Sequence, residues 1–259
     1  MDFFEKIDKK PVPDLSWNLP ERKQGTVKII GGNDQSFRTE IKTAEYMAGK
    51  YPIEKVMLVL PESLKTKLPE LPNVKYVEAT ESGSYGDAEE LKAVMEAPDY
   101  NLVLGDLSKN TMTLQMMDEI LRQATRPTVV TRDAVDAVAD GKTEQILMNS
   151  NLILMASMPQ LIKLFRAVYY PKMLLITQSL VQVADALHKF TLSFPVKIVT
   201  LHNGQILIAE NGDVKVIDLE KTGYQPFNFW NGEVAAKMVA LNMFNPGRFL
   251  EATICGIWS

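Results

Sequence analysis

Short apolar runs alternate with amphipathic stretches along most of the chain. Nearly continuous apolar runs bounded by turn residues predict strands at 26–30, 55–60, 74–77, 100–104, 127–131, 151–156 and 172–177. Apolar residues at helical spacing predict helices at 37–50, 88–95, 113–124, 159–168 and 180–190. Strands that are apolar on both faces and alternate with helices indicate a mostly parallel central sheet with helices on both sides.

The pattern changes after residue 195. Three short strand-like runs, at 196–201, 205–210 and 214–219, are joined by Asn203-Gly204 and Asn211-Gly212. Because Asn-Gly between extended runs is typical of a two-residue β-hairpin, we expect an antiparallel edge late in the sheet. A helix capped by Asn231 follows, and a last helix is predicted at 247–257. The predicted fold class is α/β in three layers, as one domain over 1–259 with a lead segment at 1–24.

Composition and charge argue against several classes of function. The chain has 28 Lys and Arg residues against 32 Asp and Glu, so no basic surface for nucleic acid is indicated. The single cysteine, Cys255, has no partner for an internal disulfide, and only His188 and His202 could supply imidazole to a metal. No signal peptide and no apolar run of membrane-spanning length are recognised. We therefore expect a cytoplasmic protein with no metal site and no membrane or nucleic-acid partner.

Candidate binding residues stand where the predicted strands end. Ligands of open α/β sheets bind beyond the carboxyl ends of the strands, and these ends carry Gly31-Gly32-Asn33, Gly105, Asp133 and Ser157. The paired glycines would let a ligand approach the backbone, but a tight strand-to-helix turn explains them equally well. Asp133 also suits a helix N-cap.

The start of the helix after Asn231 is a second candidate site. A helix N-terminus attracts anions, so Asn231 and Gly232 could hold phosphate and the Glu233 carboxylate could act as an acid or base. An ordinary capped helix, with Glu233 complementing the helix dipole, is the simpler interpretation of this stretch.

The order of these segments resembles the ribokinase-like superfamily, and within it the ADP- or ATP-dependent NAD(P)H-hydrate dehydratases, over nearly the whole chain. VKIIGG (27–32) is similar to that family's strand ending in Gly-Gly, and LVLGDLSKN (102–110) to its strand running into G-P-G-L. PTVVTRDAVDAV (127–138) resembles its P-x-V-x-D-A-D-A-L, and LILMASMPQLIKLF (152–165) lies where it has L-T-P-H-x-x-E. The hairpins ending in IAENGD (208–213) precede WNGEVAAKMVAL (230–241), which falls on its G-T-G-D-V-L-A-G-x-x-A-A.

The resemblance implies a lyase that removes water from NADHX or NADPHX, driven by ATP or ADP with Mg. Glu233 would then be the acid/base, and Gly232 with its neighbour Asn231 would hold phosphate. The nucleotide- and substrate-binding residues implied are Gly31, Gly32, Asn33, Gly105, Asp133, Ser157, His202, Asn231 and Gly232.

The sequence departs from the family at the residues that matter most for turnover. Trp230 and Asn231 replace the first Gly and the Thr of the phosphate-binding G-T-G, and Glu233 replaces the catalytic aspartate with a side chain one methylene longer. Ser157 and Gln160 stand in place of the family's His and Glu.

Two further hypotheses stay open from the sequence. The first is a pseudoenzyme that binds a nucleotide or a partner protein without turnover, which the substitutions favour. The second is a small-molecule kinase of the same superfamily. The expected ligands are nucleotides and dinucleotides, and a homo-oligomer is expected.

Overall fold

The computed structural model describes residues 3–9, 19–108 and 110–258. Within these residues, ten strands form one sheet in the order β1-β10-β9-β8-β7-β6-β5-β2-β3-β4. The strands are β1 (Phe4–Ile7), β2 (Gln24–Gly31), β3 (Ile53–Pro61), β4 (Val74–Val77), β5 (Tyr100–Gly105), β6 (Thr128–Thr131), β7 (Leu152–Met155), β8 (Lys197–His202), β9 (Gln205–Glu210) and β10 (Asp213–Asp218).

Helices cover both faces of this sheet. They are α1 (Arg38–Lys50), α2 (Ala88–Glu96), α3 (Thr111–Gln123), α4 (Ala134–Asp140), α5 (Thr143–Leu147), α6 (Met158–Ala167), α7 (Leu180–Ser193), α8 (Leu219–Thr222), α9 (Glu233–Phe244) and α10 (Phe249–Trp258). The apolar side chains of α1, α9 and α10 pack on one face, and those of α2 to α7 pack on the other. The predicted three-layer α/β architecture is confirmed.

The antiparallel edge is also confirmed. Strand β9 pairs antiparallel with β8 on one side and with β10 on the other. From β8 to β4 in the sheet order, each strand pairs parallel with its neighbour. Asn203 and Gly204 have φ of 48° and 73°, and Asn211 and Gly212 have φ of 49° and 86°. Two successive positive φ values are what a tight hairpin turn between right-twisted strands requires.

The strand predicted at 172–177 is wrong. Residues 171–179 form bends and a turn between α6 and α7, and several of their apolar side chains are exposed. Strand β7 already pairs with β6 on one side and with β8 on the other, so this apolar run has no position beside it in the sheet. Local composition predicts an extended run but cannot show whether a neighbouring strand exists.

The sequence pattern also missed some elements. Strand β1 lies in the predicted lead segment and pairs parallel with β10 at the edge of the sheet, while the short helices α4 and α5 follow β6. Residues 10–18 of the lead segment lie outside the described residues. Among the described helices, none combines the length and the apolar character that a membrane crossing requires.

Candidate functional site

The glycines at the ends of β2 and β5 bring two strand ends into close contact. The Gly32 N–H donates to the Gly105 carbonyl oxygen at 3.0 Å. A Cβ atom at Gly31 would lie 2.6 Å from that same oxygen, and a Cβ atom at Gly105 would lie 2.4 Å from Asp133 Oδ1. The space beside both glycines is therefore filled by the protein's own atoms, which supports the tight-turn interpretation.

Asp133 organises the loop after β5. Its carboxylate accepts hydrogen bonds from the backbone N–H groups of Asp106 at 2.6 Å and Leu107 at 3.1 Å. Burial raises the pKa of this carboxyl, the Asp106 charge raises it further, and the backbone N–H of Asp106 acts in the opposite direction. Asp133 precedes α4 but makes no side-chain cap hydrogen bond there, so its carboxylate orders the β5 loop rather than the helix.

Asn33 ties the turn after β2 to the same loop. Its side-chain amide donates to the Asp106 carbonyl oxygen at 2.6 Å, and its Oδ1 accepts from the Gln35 N–H at 2.8 Å. The turn after β2, the loop after β5 and the start of α4 thus form one hydrogen-bonded unit at the carboxyl edge of the sheet.

Glu40 is a buried carboxyl that sequence reasoning missed. It lies in the first turn of α1 and is 0% exposed, and neither carboxyl oxygen has a hydrogen-bond partner. Burial raises its pKa from 4.5 to about 8, and the charge of Asp106 adds to that rise. A glutamate near the start of an amphipathic helix is ordinarily a surface residue, so the sequence carries no signal for this burial.

Unsatisfied polar atoms and strained backbone are concentrated at this edge of the sheet. Of the ten buried side-chain atoms without a partner among the described residues, six belong to Glu40, Asp106, Ser108, Thr131 and Arg132. Positive φ values, which residues other than glycine rarely adopt, occur at Asp106 (54°), Ser108 (63°) and Arg132 (56°). Buried orphan atoms and backbone strain cluster at functional sites more than in plain structural cores, so this edge is the strongest candidate site.

A cleft of about 510 Å³ opens beside this cluster, and we call it the cationic cleft. Its lining residues are Arg38, Thr39, Lys42, Arg132, Phe227, Trp230 and Asn231. Three of these side chains are cationic and none is a carboxylate. The amino-terminal ends of α1 and α9 both border the cleft, and their dipoles favour negative charge there. The arrangement suits an anion.

The Arg132 guanidinium joins the cleft to the buried carboxyls. Its Nη2 donates to Asp106 Oδ1 at 2.9 Å, while its Nη1 has no partner among the described residues. The Arg132 side chain is 27% exposed and lines the cleft, so its charge is felt there while Nη2 holds the Asp106 carboxylate.

The cap predicted at Asn231 is wrong. Helix α9 begins at Glu233, and its N-cap is Gly232, with φ of 88° and no side-chain cap bond. A Cβ atom at Gly232 would lie 2.5 Å from Thr43 Oγ1, so the glycine permits close packing of α9 on α1. The Asn231 amide instead donates to Asn228 Oδ1 at 3.2 Å, and Asn231 lines the cationic cleft.

The Glu233 carboxylate is engaged by other side chains. It accepts a hydrogen bond from the Tyr224 hydroxyl at 3.3 Å and forms an ion pair with Lys237 Nζ at 3.1 Å. Burial and the Glu233 charge raise the pKa of the Tyr224 phenol above its usual range. Glu233 is not among the residues that line the cationic cleft.

Ser157 and His202 make structural hydrogen bonds outside the cleft. The Ser157 N–H and hydroxyl both donate to Gln160 Oε1 at 3.0 Å, in a capping box at the start of α6. The Gln160 amide in turn donates to the Arg132 carbonyl oxygen at 2.7 Å. The His202 side chain is 3% exposed, and its Nε2 lies 2.8 Å from the Gln178 carbonyl oxygen.

The predicted site residues therefore fall into three groups. Gly31, Gly32, Asn33, Gly105 and Asp133 meet in one unit at the carboxyl edge of the sheet, where they are packed against protein. Asn231 lines the cleft, and the following Gly232 is the N-cap of α9 and packs against Thr43 of α1. Ser157, His202 and Glu233 point their polar groups at other partners, and the roles proposed for all of them stay predictions.

Comparison with known proteins supports the fold. No protein-family model matches the chain, and no curated protein matches it by sequence. A ribokinase-like superfamily protein from Enterococcus faecalis is similar in structure, with a TM-score of 0.67 at 14% identity over 100% of this chain and 86% of that chain.

Two further proteins of similar structure were crystallised with nucleotides. An ADP/ATP-dependent NAD(P)H-hydrate dehydratase from Bacillus subtilis, co-crystallised with ATP/Mg²⁺, has a TM-score of 0.59 at 16% identity over 94% of this chain and 83% of that chain. An ADP complex of Bacillus subtilis pyridoxal kinase has a TM-score of 0.53 at 11% identity over 91% and 89%. Together with the sheet order and the late antiparallel edge, these likenesses show that the chain has a ribokinase-like fold.

Proposed function

We propose that this protein binds a nucleotide through its phosphates in the cationic cleft. The observation that carries the proposal is the convergence of Arg38, Lys42 and Arg132 on one cleft bordered by the amino-terminal ends of α1 and α9. Cations with oriented donors at helix ends are how proteins commonly hold phosphate.

The aromatic lining favours a nucleotide over free phosphate. Trp230 and Phe227 line the same cleft as the three cations, and Phe227 is 79% exposed. Exposed aromatic faces stack with bases, and such stacking contributes about 1–3 kcal/mol per base. The Bacillus subtilis dehydratase and pyridoxal kinase of similar fold, which were crystallised with ATP/Mg²⁺ and ADP, are consistent with this choice.

A resident Mg²⁺ ion does not fit the cleft. Magnesium prefers oxygen ligands that include carboxylates, and the cleft lining has none. Among residues 3–9, 19–108 and 110–258, no group of three or more metal-ligating side chains is present. The phosphate charge would be balanced by the three cations, and any divalent metal would have to come bound to the nucleotide.

Dehydration of NADHX or NADPHX is the narrower form of the proposal. This narrower form is supported by the position of Glu233, which the resemblance implies to be the acid/base. Glu233 lies in the first turn of α9, two residues after Asn231, which lines the cleft. An acid/base must lie within hydrogen-bond reach of the reacting group, and Glu233 is instead bonded to Tyr224 and Lys237. We therefore propose nucleotide binding as the function and treat dehydration as the activity to be tested on it.

The proposal is tested by titrating the protein with ATP, ADP, NADH and NADPH, using thermal shift and calorimetry. A ligand at 100 times its dissociation constant should stabilise the folded state by about 2.7 kcal/mol. Lys42→Gln should weaken binding by roughly tenfold, because it removes one charged contact to phosphate. Lys50→Gln, at the other end of α1 and outside the cleft, is the matched control. Lack of a shift with all four ligands would overturn the proposal and favour a scaffold that binds a protein.

Glu233→Gln separates binding from turnover. Nucleotide affinity should be unchanged, because Glu233 does not line the cleft. The melting temperature should fall modestly, because the Glu233 side chain is 46% exposed but its ion-pair partner Lys237 is buried and loses this counter-charge. If the wild-type protein dehydrates NADHX, the variant should lose that activity. Equal turnover in the two proteins would rule out Glu233 as the acid/base.

A further inference from the structure

A second pocket opens at the amino edge of the sheet, opposite the edge that borders the cationic cleft, and we call it the acidic pocket. It encloses about 260 Å³ and lies where the first residues of β5 (Tyr100) and β8 (Lys197) meet the last residue of β9 (Glu210). Met243 in the last turn of α9 and Phe249 at the start of α10 close its other side. Its volume is about half that of the cationic cleft, so it suits a ligand smaller than a nucleotide.

A buried phenol without a hydrogen-bond partner lines this pocket. Tyr100 is 5% exposed, and within the described parts of the chain its hydroxyl makes no hydrogen bond. Burial and the Glu210 charge raise the pKa of the Tyr100 phenol above its usual range, so the hydroxyl keeps its proton and can donate. Buried polar groups in proteins are nearly always hydrogen-bonded, so an unused donor at a pocket wall points to a bound molecule.

Glu210 brings a half-buried carboxylate to the same pocket. Its Oε1 is 3.7 Å from Lys197 Nζ, which is too long for a hydrogen bond. The Lys197 ammonium instead donates to the Ser150 carbonyl oxygen at 2.8 Å and lies 5.9 Å from the centre of the Phe249 ring. Burial raises the pKa of the Glu210 carboxyl, and a cation in the pocket would offset this effect by stabilising the ionised form.

The lining of the pocket is net negative. Asp99 and Glu210 contribute carboxylates, and Lys197 is the one cationic side chain among the described lining residues. The carboxyl end of α9 reaches the pocket at Asn242, and the dipole of a helix favours positive charge at that end. Helix α9 thus borders the cationic cleft with its positive end and the acidic pocket with its negative end.

We propose that the acidic pocket binds a small organic cation, with a protonated nitrogen at the Glu210 carboxylate and an acceptor group at the Tyr100 hydroxyl. The negative lining recognises the charge, and the apolar side chains of Ile153, Met243 and Phe249 contact the carbon skeleton of the ligand. None of the residues that line this pocket lines the cationic cleft, so the proposal is independent of nucleotide binding.

Tyramine and tyrosol test whether the pocket recognises charge. Tyrosol has a hydroxyl in place of the ammonium group of tyramine, and both molecules have a phenol oxygen that can accept from Tyr100. Tyramine should bind with a dissociation constant on the order of 1 mM, as suits its size, and tyrosol should bind roughly tenfold more weakly. In an NMR titration of isotope-labelled protein, the amide signals of Asn151 and Gly247 at the pocket should shift, whereas that of Gly105 at the opposite edge should not.

Two variants separate recognition of the ligand from packing of the fold. Glu210→Gln should weaken tyramine binding roughly tenfold, because it removes the charged acceptor. Glu54→Gln, at an exposed position near the amino end of β3 and outside the pocket, is the matched control and should leave binding unchanged. Tyr100→Phe should weaken binding roughly threefold or more without lowering the melting temperature, because the hydroxyl that it removes makes no hydrogen bond in the free protein.

Three results would overturn the proposal. The first is equal affinity for tyramine and tyrosol, or no amide shift at the pocket with either probe. The second is a Glu210→Gln chain that binds tyramine as tightly as the wild-type chain. The third is a Tyr100→Phe chain that is less stable than wild type but binds tyramine equally well, because this hydroxyl would then have a purely structural role.

Discussion

Replacing Arg132 by glutamine should lower the free energy of unfolding by about 3 kcal/mol, because it leaves the largely buried Asp106 carboxylate without its counter-charge. The guanidinium pairs with Asp106 at 2.9 Å and lies near Asp133 and Glu40, and its side chain is 27% exposed. Breaking a fully buried pair costs about 3–5 kcal/mol, so partial exposure places the loss at the lower end of that range. The variant keeps a Cβ atom, so the strain at φ of 56° is unchanged.

Urea unfolding at pH 7 measures this loss. Arg126→Gln makes the same chemical change at an exposed arginine, whose Nε donates to the Glu96 carbonyl oxygen, and should cost far less. Arg132→Lys restores the charge but not the forked donor geometry, so it should recover part of the stability. A loss in Arg132→Gln no greater than in Arg126→Gln would show that the buried carboxyls do not depend on this cation.

Measuring the nucleotide affinity of the Arg132 variants tests whether the same guanidinium also contributes to ligand binding in the cationic cleft. If Arg132 contributes its charge to phosphate binding in the cleft that it lines, Arg132→Gln should weaken binding by about as much as Lys42→Gln does, since each variant removes one cation. The stability loss does not depend on that assumption, so the two measurements can fail separately.

Wild-type stability should fall as pH rises from 4.5 to about 8, and replacing Glu40 by glutamine should remove that fall. Burial beside Asp106 raises the pKa of Glu40 from 4.5 to about 8, so the folded state holds a proton that the unfolded state releases. Stability linked to this proton is fully present below pH 4.5 and is lost as pH rises through the folded-state pKa. Over that window the loss is about 5 kcal/mol, at 1.36 kcal/mol per pKa unit.

The measurement is the difference in unfolding free energy between wild type and Glu40→Gln across pH 4 to 9. Using the difference cancels contributions that the two proteins share, and any fixed cost of burying the amide offsets the difference by the same amount at every pH. Glu45→Gln, on an exposed position of the same helix, should follow the wild-type profile. Parallel profiles for wild type and Glu40→Gln would mean that the carboxyl is not neutral in the folded protein.

Local patterns were sufficient to predict most of the fold. Strand-like runs predicted β2 to β10 to within a few residues, because buried strands are mostly apolar. The two Asn-Gly pairs predicted both hairpins, because few other residues accept successive positive φ values. The run at 172–177 failed because strand formation needs a neighbouring strand, which local sequence does not reveal.

Sequence reasoning located only those site residues that lie at the ends of parallel strands. The meeting of Gly31, Gly105 and Asp133 follows from the rule that parallel strands end at the same edge. The direction of the Glu233 carboxylate toward Tyr224 and Lys237 depends on how α9 packs, and the resemblance could not show it.

The sequence by itself determined the three-layer α/β architecture and the late antiparallel edge, because these follow from periodicity and turn chemistry. Only the tertiary structure decided which side chains face one another across the carboxyl edge of the sheet. Glu40 is buried, Arg132 pairs with Asp106, and one cleft is lined by Arg38, Lys42 and Arg132. These arrangements bring together residues that are far apart in the chain. Burial and charge proximity are properties of packing, so no local pattern encodes them.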